Sequence, residues 1–194
     1  MVLALPRGGI PVAYEIAEAL EVPLDLFLVR TLGVPGYDEL AMGAVSTGGA
    51  TVLNADVINY LKIPTATVDS VVERERTELE KRRAAYCGSR PVPKLEDRTV
   101  ILVDDGLGAV STVRYAVHAL RQLGTARIVV AVPIASRSLW ETVCKDVDHC
   151  VSLQTPDQFS GEAAWYEDFV QPPDSEIREL LERASRKDRS VRPA

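Results

Sequence analysis

Residues Val100–Thr112 read VILVDDGLGAVST: an aliphatic run, two acids and a loop of small residues. The run lacks the alternation of a half-exposed strand and is typical of a strand buried on both faces of a parallel sheet. The glycines after it predict a turn and then the start of a helix. Because ligands of open α/β sheets bind beyond the carboxyl ends of the strands, Asp104 and Asp105 are predicted to face a crevice.

The loop after the two acids has the chemistry of an anion site. Backbone N–H groups at the start of a helix attract phosphate, and Ser111 and Thr112 add hydroxyl groups beside them. Carboxylates suited to hydroxyl groups or a metal therefore lie next to amides suited to phosphate. This combination indicates a sugar phosphate as the ligand.

The sequence beyond this loop continues the alternation of helix and strand. Apolar residues recur at helical spacing from Val113 to Leu120, and Gly124 is placed to end that helix. Ile128–Val132 and Cys150–Leu153 are further apolar strands. The resulting βαβαβ unit predicts an α/β fold, a Rossmann-like, open and mainly parallel sheet with flanking helices.

A second unit of strand, turn and helix opens the chain. Val2–Leu5 is predicted to be a strand, Arg7-Gly8-Gly9 a glycine turn, and Pro11 fits the first turn of a helix. If this strand is parallel to the central one, its turn lies at the same sheet edge as the two acids, and Arg7 points into the same crevice. The alternative is an ordinary solvent-exposed turn.

These two motifs together resemble the type I phosphoribosyltransferase family, in particular a subgroup of bacterial predicted phosphoribosyltransferase-like proteins. The resemblance implies an enzyme that binds phosphoribosyl diphosphate with Mg²⁺ and transfers the phosphoribosyl group to or from a nitrogenous base. It implies that Asp104, Asp105 and Arg7 form the catalytic set. It also implies that Mg²⁺ is carried by the ligand and reaches the two acids through water rather than by direct ligation.

The resemblance assigns a larger set of residues to phosphoribosyl diphosphate, or to another phosphorylated sugar. The turn after the first strand would bind the pyrophosphate, and the loop after the two acids would bind the 5′-phosphate. The set is Gly8, Gly9, Arg30, Gly106, Leu107, Gly108, Ala109, Val110, Ser111 and Thr112.

The sequence departs from the family pattern near the proposed phosphates. Ala109 and Val110 replace the usual Thr-Gly, and Thr31 replaces a Lys found in the subgroup. A second hypothesis is therefore a catalytically degenerate module of the same fold that binds a phosphorylated ligand in a regulatory role. Gly108 occupies a position where relatives acting on 6-oxopurines often carry an acid, so that substrate class is disfavoured.

A third hypothesis is a receiver-like signalling domain, which also carries an acidic pair after an apolar strand. Such a domain needs a phosphoacceptor Asp at the end of a later strand and a Lys at the end of another. Asp146 and Asp148 lie before a strand, and no suitable Lys follows. The receiver hypothesis is therefore disfavoured.

The aromatic residues concentrate in one block near the end of the chain. Trp165 and Tyr166, with Asp168 beside them, resemble the hood that stacks on the base in phosphoribosyltransferases. The alternative is a hydrophobic plug that closes the core.

Long charged and glycine-rich segments interrupt the α/β pattern. The stretch from Arg30 to Glu39 is predicted to be a loop, and residues 67–86 a solvent-exposed helix with a thin apolar stripe. We expect one phosphoribosyltransferase-like domain over residues 1–172 with a charged helical insertion at about 54–95 as a dimer or lid element. Residues 173–194 are expected to form a C-terminal helix and a frayed tail.

The bulk composition restricts the partners of the protein. A net charge of -6 and 46% apolar residues indicate a chain with a real core and no basic surface for nucleic acid. The sequence shows no leader and no membrane span, which predicts a cytoplasmic protein, with a homodimer as one option. Relatives in the family usually carry a segment before the first strand, and the sequence leaves open whether such a segment is missing here.

The three cysteines follow no recognised pattern. Cys87, Cys144 and Cys150 lack the spacing of a zinc site or a disulfide framework. We expect all three to be reduced thiols without a catalytic role.

Overall fold

The structure is a computed structural model that describes residues 1–108 and 110–191. For Asp38, Val110, Ser111 and residues 187–191 it describes the backbone alone. Ala109 lies outside the described residues, so the prediction made for it has no structural counterpart here.

Eight strands and six α-helices make up the described part of the chain. The strands are β1 (Val2–Ala4), β2 (Leu24–Leu26), β3 (Val29–Val34), β4 (Tyr37–Ser46), β5 (Thr51–Leu53), β6 (Thr99–Val103), β7 (Arg127–Ile134) and β8 (His149–Gln154). The helices are α1 (Gly9–Leu20), α2 (Ala55–Tyr60), α3 (Thr65–Cys87), α4 (Val110–Gln122), α5 (Arg137–Val143) and α6 (Asp174–Val191), with a 3₁₀ helix at Glu162–Trp165.

The main sheet is parallel and has the strand order β2-β1-β6-β7-β8. Its central strands β1 and β6 are paired so that Ala4 lies opposite Val103. The turns after these two strands therefore meet at one edge of the sheet. The predicted α/β fold with a mainly parallel sheet is confirmed.

Helices cover both faces of this sheet because successive side chains of a strand point to opposite faces. Leu3 and Leu102 pack with Val113 and Leu120 on the face covered by α4. The other face lies against α1 and α6, and its core includes Val2, Ala4, Val103, Ile10, Ala13, Ile177 and Leu181. Full burial of each such aliphatic side chain contributes about 1.5–3 kcal/mol. The last helix thus belongs to the same core as the first.

A smaller antiparallel sheet of the order β3-β4-β5 lies beside the main one. The predicted loop from Arg30 to Glu39 is wrong, since most of it pairs as β3 and β4. The pairing is irregular between Leu32 and Val34, and Gly36 makes the turn with a φ of 80°. Glycine and proline in a short, bulged hairpin gave it the composition of a loop.

Helix α3 lies close to its predicted bounds but buries more charged residues than predicted. It packs on the small sheet, and its buried residues are Val68, Val71, Glu75, Leu79, Arg83 and Tyr86. Arg83 forms a buried ion pair with Asp25 of β2, with nitrogen–oxygen distances of 3.3 and 3.1 Å. The thin apolar stripe is therefore buried as expected, but the helix also buries two charged residues, Glu75 and Arg83, which have partners inside the protein.

The cysteines also differ from expectation. Cys144 at the end of α5 and Cys150 in β8 form a disulfide bond across a Cα–Cα distance of 5.7 Å. The tight turn between the two elements brings them together, which the spacing alone did not reveal. Cys87 is free, and burial, reinforced by the Asp25 carboxylate, raises the pKa of its thiol. None of the helices in the described ranges combines the length and the apolar character needed to cross a membrane.

Candidate active site

A cavity of about 260 Å³ opens at the carboxyl ends of β1 and β6. The turns after these strands form its floor, and α3, β3, the start of α4 and the 3₁₀ helix form its walls. The lining residues are Leu5, Pro6, Leu28, Val29, Arg30, Leu79, Arg82, Asp104, Asp105, Gly106, Gly108, Thr112, Val113 and Glu162.

The turn after β1 packs directly against the two acids. A Cβ atom added to Gly8 would lie 1.7 Å from Asp105 Oδ2, and one added to Gly9 would lie 2.7 Å from the Val103 carbonyl oxygen. The peptide bond between Pro6 and Arg7 is cis. Neither glycine has a positive φ. The close approach to the acids is therefore the reason that both positions require glycine.

The two acids are coupled through their backbone and their charges. The Asp105 N–H donates to Asp104 Oδ1 at 3.0 Å. Burial raises the pKa of Asp104 well above its ordinary value, and the neighbouring Asp105 carboxylate raises it further. This pair therefore presents carboxylate oxygens to the cavity at an electrostatic cost that a hydroxyl donor or a cation would reduce.

Tyr166 holds the 3₁₀ helix close to the acidic turn. Its hydroxyl donates to the Asp105 carbonyl oxygen at 2.5 Å. Burial, followed by the charges of Asp105, Asp104 and Glu162, raises the pKa of Tyr166 to about 12. The phenol thus stays protonated near neutral pH and remains a hydrogen-bond donor.

Two arginines give the opposite wall a positive charge. Arg30 Nε donates to Glu75 Oε2 at 2.7 Å, and Arg74 pairs with the other oxygen of the same carboxylate at 3.0 Å. Arg82, three residues beyond Leu79, reaches the same cavity from α3. The site therefore has an acidic floor and a cationic wall, an arrangement suited to a ligand with both hydroxyl and phosphate groups.

Comparison with known proteins decides the family. A family model described as the phosphoribosyl transferase domain matches residues 38–168. The Mycobacterium tuberculosis H37Rv protein named "Putative phosphoribosyl transferase Rv0571c" is 38% identical over 186 residues. This chain belongs to the phosphoribosyl transferase family.

The match to the mycobacterial phosphoribosyl transferase covers 96% of this chain and 42% of the relative, so the chain spans less than half of that protein's length. Corynebacterium glutamicum "Bifunctional protein PyrR" is 29% identical over 124 residues, which are 64% of this chain and 46% of the relative. The crystal structure of TT1426 from Thermus thermophilus is 37% identical, covers 93% of this chain and 85% of its own, and superposes with a TM-score of 0.82.

Among the residues assigned to the phosphoribosyl transferase site, Asp104, Asp105, Arg30, Gly106, Gly108 and Thr112 line the cavity. Gly8 and Gly9 support the acids from below. The α4 helix begins at Val110, so its N-terminus faces the same opening, although the side chains of Val110 and Ser111 lie outside the described part of the structure.

Arg7 and Leu107 do not point into this site. The Arg7 guanidinium forms an ion pair with Asp174 at the start of α6, with a nitrogen–oxygen distance of 3.0 Å, which corrects the expectation that Arg7 would enter the crevice. Leu107 is 1% exposed, and its N–H donates to the Ile134 carbonyl oxygen at 3.0 Å. Its backbone donor is thus committed to the sheet and its side chain to the core, so it does not contact a ligand in the cavity.

The aromatic block does not form the expected stacking surface in this structure. Trp165 is 42% exposed and lines a separate small cavity, and Asp168 is exposed. The Tyr166 ring packs against Phe169 with its centroid at 5.2 Å, while its hydroxyl holds the acidic turn. A base-stacking role for Trp165, Tyr166 and Asp168 is therefore not supported by their positions.

Two residues that line the cavity, Arg82 and Glu162, were not predicted from the sequence. Arg82 shares a helix face with Leu79, a signal that was available once that face was taken as buried. Glu162 lies among small and aromatic residues with no periodic pattern, and only the tertiary fold brings it to the cavity. Glu75, which orients Arg30, was likewise not assigned to the site.

Proposed function

We propose that this protein binds phosphoribosyl diphosphate with Mg²⁺ and transfers the phosphoribosyl group to or from a nitrogenous base. One observation carries the proposal: the glycine turn after β1 and the acidic turn after β6 meet beneath a cavity whose far wall holds Arg30 and Arg82. Carboxylates that can accept hydrogen bonds from hydroxyl groups, N–H donors at the start of α4 and two arginines then surround one cavity of ligand size.

The roles follow from the chemistry of the ligand. Asp104 and Asp105 accept hydrogen bonds from the ribose hydroxyl groups, which offsets the cost of keeping two carboxylates together. The N-terminus of α4 and Thr112 bind the 5′-phosphate. Arg30 and Arg82 neutralise the pyrophosphate. The bond to pyrophosphate breaks in a transition state in which the sugar carries positive charge. Catalysis therefore depends on positioning the two reactants and stabilising this charge, and it needs no protein nucleophile.

The donor set is compatible with Mg²⁺ brought by the ligand. Within residues 1–108 and 110–191, no group of three or more His, Cys, Asp or Glu side chains could hold a metal ion by itself. Mg²⁺ prefers oxygen ligands and keeps several waters, so two carboxylates and a pyrophosphate suit it. When bound, it would neutralise charge on the leaving pyrophosphate.

The first experiment is ligand binding by thermal shift. Phosphoribosyl diphosphate at millimolar concentration with Mg²⁺ is expected to raise the melting temperature, because a ligand that binds only the folded state stabilises it. The double variant Asp104→Asn with Asp105→Asn is expected to lose the rise, while Asp69→Asn on the exposed side of α3 retains it. No shift in the unmutated protein would refute the binding proposal.

A second candidate is a binding module of the same fold without turnover. It rests on the sequence alone, where Ala109 and Val110 replace the small, flexible pair of the family loop. Pyrophosphate release across a panel of purine and pyrimidine bases separates the two functions, and Val110→Gly is expected to raise the rate if this loop restricts the phosphate. A cytoplasmic location and a homodimer stay predictions.

A further inference from the structure

The side chain of Glu162 lies across the two glycines of the acidic turn. A Cβ atom added to Gly106 would lie 2.2 Å from Glu162 Cγ, and one added to Gly108 would lie 2.4 Å from Glu162 Oε1. The stem of Glu162 therefore crosses Gly106, and its carboxylate occupies the space that a side chain at residue 108 would fill. Both glycines are needed for Glu162 to reach this place.

The segment that carries Glu162 is fixed to the turn. Glu162 begins the 3₁₀ helix, and Tyr166, four residues later, donates its hydroxyl hydrogen bond to the Asp105 carbonyl oxygen. Within the described part of the chain, no hydrogen bond or ion pair engages the Glu162 carboxylate itself. A carboxylate held by its backbone but free at its oxygens is an available proton acceptor.

The proposed transfer creates a need for such an acceptor. When a nitrogen nucleophile that carries hydrogen attacks the anomeric carbon, the new bond leaves that nitrogen positively charged until it loses a proton. Asp104 and Asp105 are occupied by the ribose hydroxyl groups in the proposed complex. Glu162 is the remaining carboxylate that lines the cavity among the described residues.

We propose that Glu162 is the general base of the transfer, an inference that rests on the proposed function. The nitrogen lone pair forms the bond to the anomeric carbon, and the carbon–oxygen bond to pyrophosphate breaks with its electron pair leaving on pyrophosphate. The proton on the attacking nitrogen passes to Glu162 Oε1. The base accepted is then a heterocycle whose reacting ring system carries an N–H group.

With Glu162 as the base, Gly108 no longer counts against 6-oxopurines as substrates. That class was disfavoured because glycine at residue 108 cannot accept a proton. Glu162 supplies a carboxylate to the same space from a different segment, so the absence of an acid at residue 108 excludes no N–H-bearing base.

Steady-state kinetics of Glu162→Gln test the proposal. The variant keeps the size of the side chain and removes the proton acceptor, so kcat is expected to fall by about 10²–10⁴-fold with little change in KM for phosphoribosyl diphosphate. The thermal shift with phosphoribosyl diphosphate and Mg²⁺ should persist. Glu167→Gln, an exposed acid of the same segment, is the matched control and should keep the unmutated kcat.

Two further variants separate a base from a structural residue. Formate added to Glu162→Ala should restore part of the rate, because a free carboxylate can enter the vacated space. Gly108→Asp alone should impair the enzyme by collision with Glu162, whereas Gly108→Asp with Glu162→Ala should exceed the rate of Glu162→Ala, since it returns a carboxylate from the other side.

The outcomes distinguish this inference from the proposed function. An unchanged kcat in Glu162→Gln would overturn the role of Glu162 while leaving the transfer intact. A lower KM with unchanged kcat would also overturn it, because Glu162 would then only repel phosphate. If no base of the panel supports pyrophosphate release, both the proposed transfer and the role of Glu162 are overturned. The thermal shift then shows whether the protein still binds phosphoribosyl diphosphate.

Discussion

The absence of a Cβ atom at four glycines determines the geometry of this site. The turn after β1 approaches the acids so closely that Gly8 would place a Cβ atom 1.7 Å from an Asp105 carboxylate oxygen. Gly106 and Gly108 leave the corresponding space for Glu162 on the other side. Gly8 and Gly9 thus enclose the acids from the side of β1, while Gly106 and Gly108 leave room for Glu162 over the loop that follows the acids.

Gly8→Ala tests this enclosure. The new methyl group must displace Asp105, so we expect a loss of about 1–3 kcal/mol in the free energy of unfolding and the loss of stabilisation by phosphoribosyl diphosphate. Urea denaturation and thermal shift measure the two effects. Gly33→Ala is the control, because nothing lies within 4 Å of a Cβ atom there. A Gly8→Ala protein that binds like the unmutated one would refute the close-packing argument.

Asp104 predicts a pH dependence of stability. Its pKa is raised mainly by burial, so the folded state binds this proton more tightly than the unfolded state does. Stability from this group is complete below the ordinary pKa of Asp and is lost as pH rises toward the raised folded value. Asp104→Asn is therefore expected to stabilise the ligand-free protein at pH 7, because it removes a buried charge.

Urea unfolding from pH 4 to pH 8 measures this effect. The stability gained by Asp104→Asn should grow with pH, while the variant loses binding of phosphoribosyl diphosphate. Asp69→Asn should show no such growth, since Asp69 is exposed on α3. A variant that is less stable than the unmutated protein at pH 7 would contradict the burial of an unfavourable charge.

Among the elements, α3 connects the small sheet, the main sheet and the cavity. Its buried face carries Glu75, which orients Arg30, and Arg83, which pairs with Asp25 of β2 and donates to the Pro91 carbonyl oxygen at 3.2 Å. The Asp25 and Arg83 side chains are each 8% exposed. A helix with this many charges is thus held in place partly by buried ionic contacts.

Arg83→Met is expected to lower the free energy of unfolding by about 3–5 kcal/mol, because it leaves the Asp25 carboxylate buried and unpaired. Urea denaturation gives the value. Lys81→Met removes the exposed pair with Glu78 on the same helix and should leave the free energy of unfolding nearly unchanged. Adding Asp25→Leu to Arg83→Met should recover much of the loss, and a loss below about 1 kcal/mol in the single variant would refute the buried pair.

The elements also show what the sequence could reveal. Buried parallel strands are continuous aliphatic runs, so β6 and β7 were predictable from local composition. The environment of α3 was not, because the partner of Arg83 lies in β2, far away in sequence. The β3–β4 hairpin was missed because Gly33 lies within β3 where the pairing is irregular, and Pro35 and Gly36 form the turn directly after it.

At the scale of the whole molecule, the candidate site could be predicted in part. Asp104 and Asp105 were found because they directly follow a buried aliphatic strand, and ligands of parallel sheets bind beyond the carboxyl ends of the strands. Arg7 was expected in the cavity, but side-chain direction depends on Asp174, which belongs to the last helix. Glu162 was missed because no local pattern specifies which surface of a loop another segment will cover, whereas Arg82 could have been found from its position on the helix face of Leu79.

The strand order of the main sheet has a consequence for the assembly of the protein on the ribosome. Strand β1 is synthesised well before β6, yet Val2 pairs with Ile101 of β6, so one edge of β1 stays open until β6 has emerged. Contacts this distant in sequence slow folding and prolong the exposure of an aliphatic strand edge. The step that finally closes the sheet also joins the glycine turn to the two acids, so a chain that has not completed its sheet has no ligand cavity.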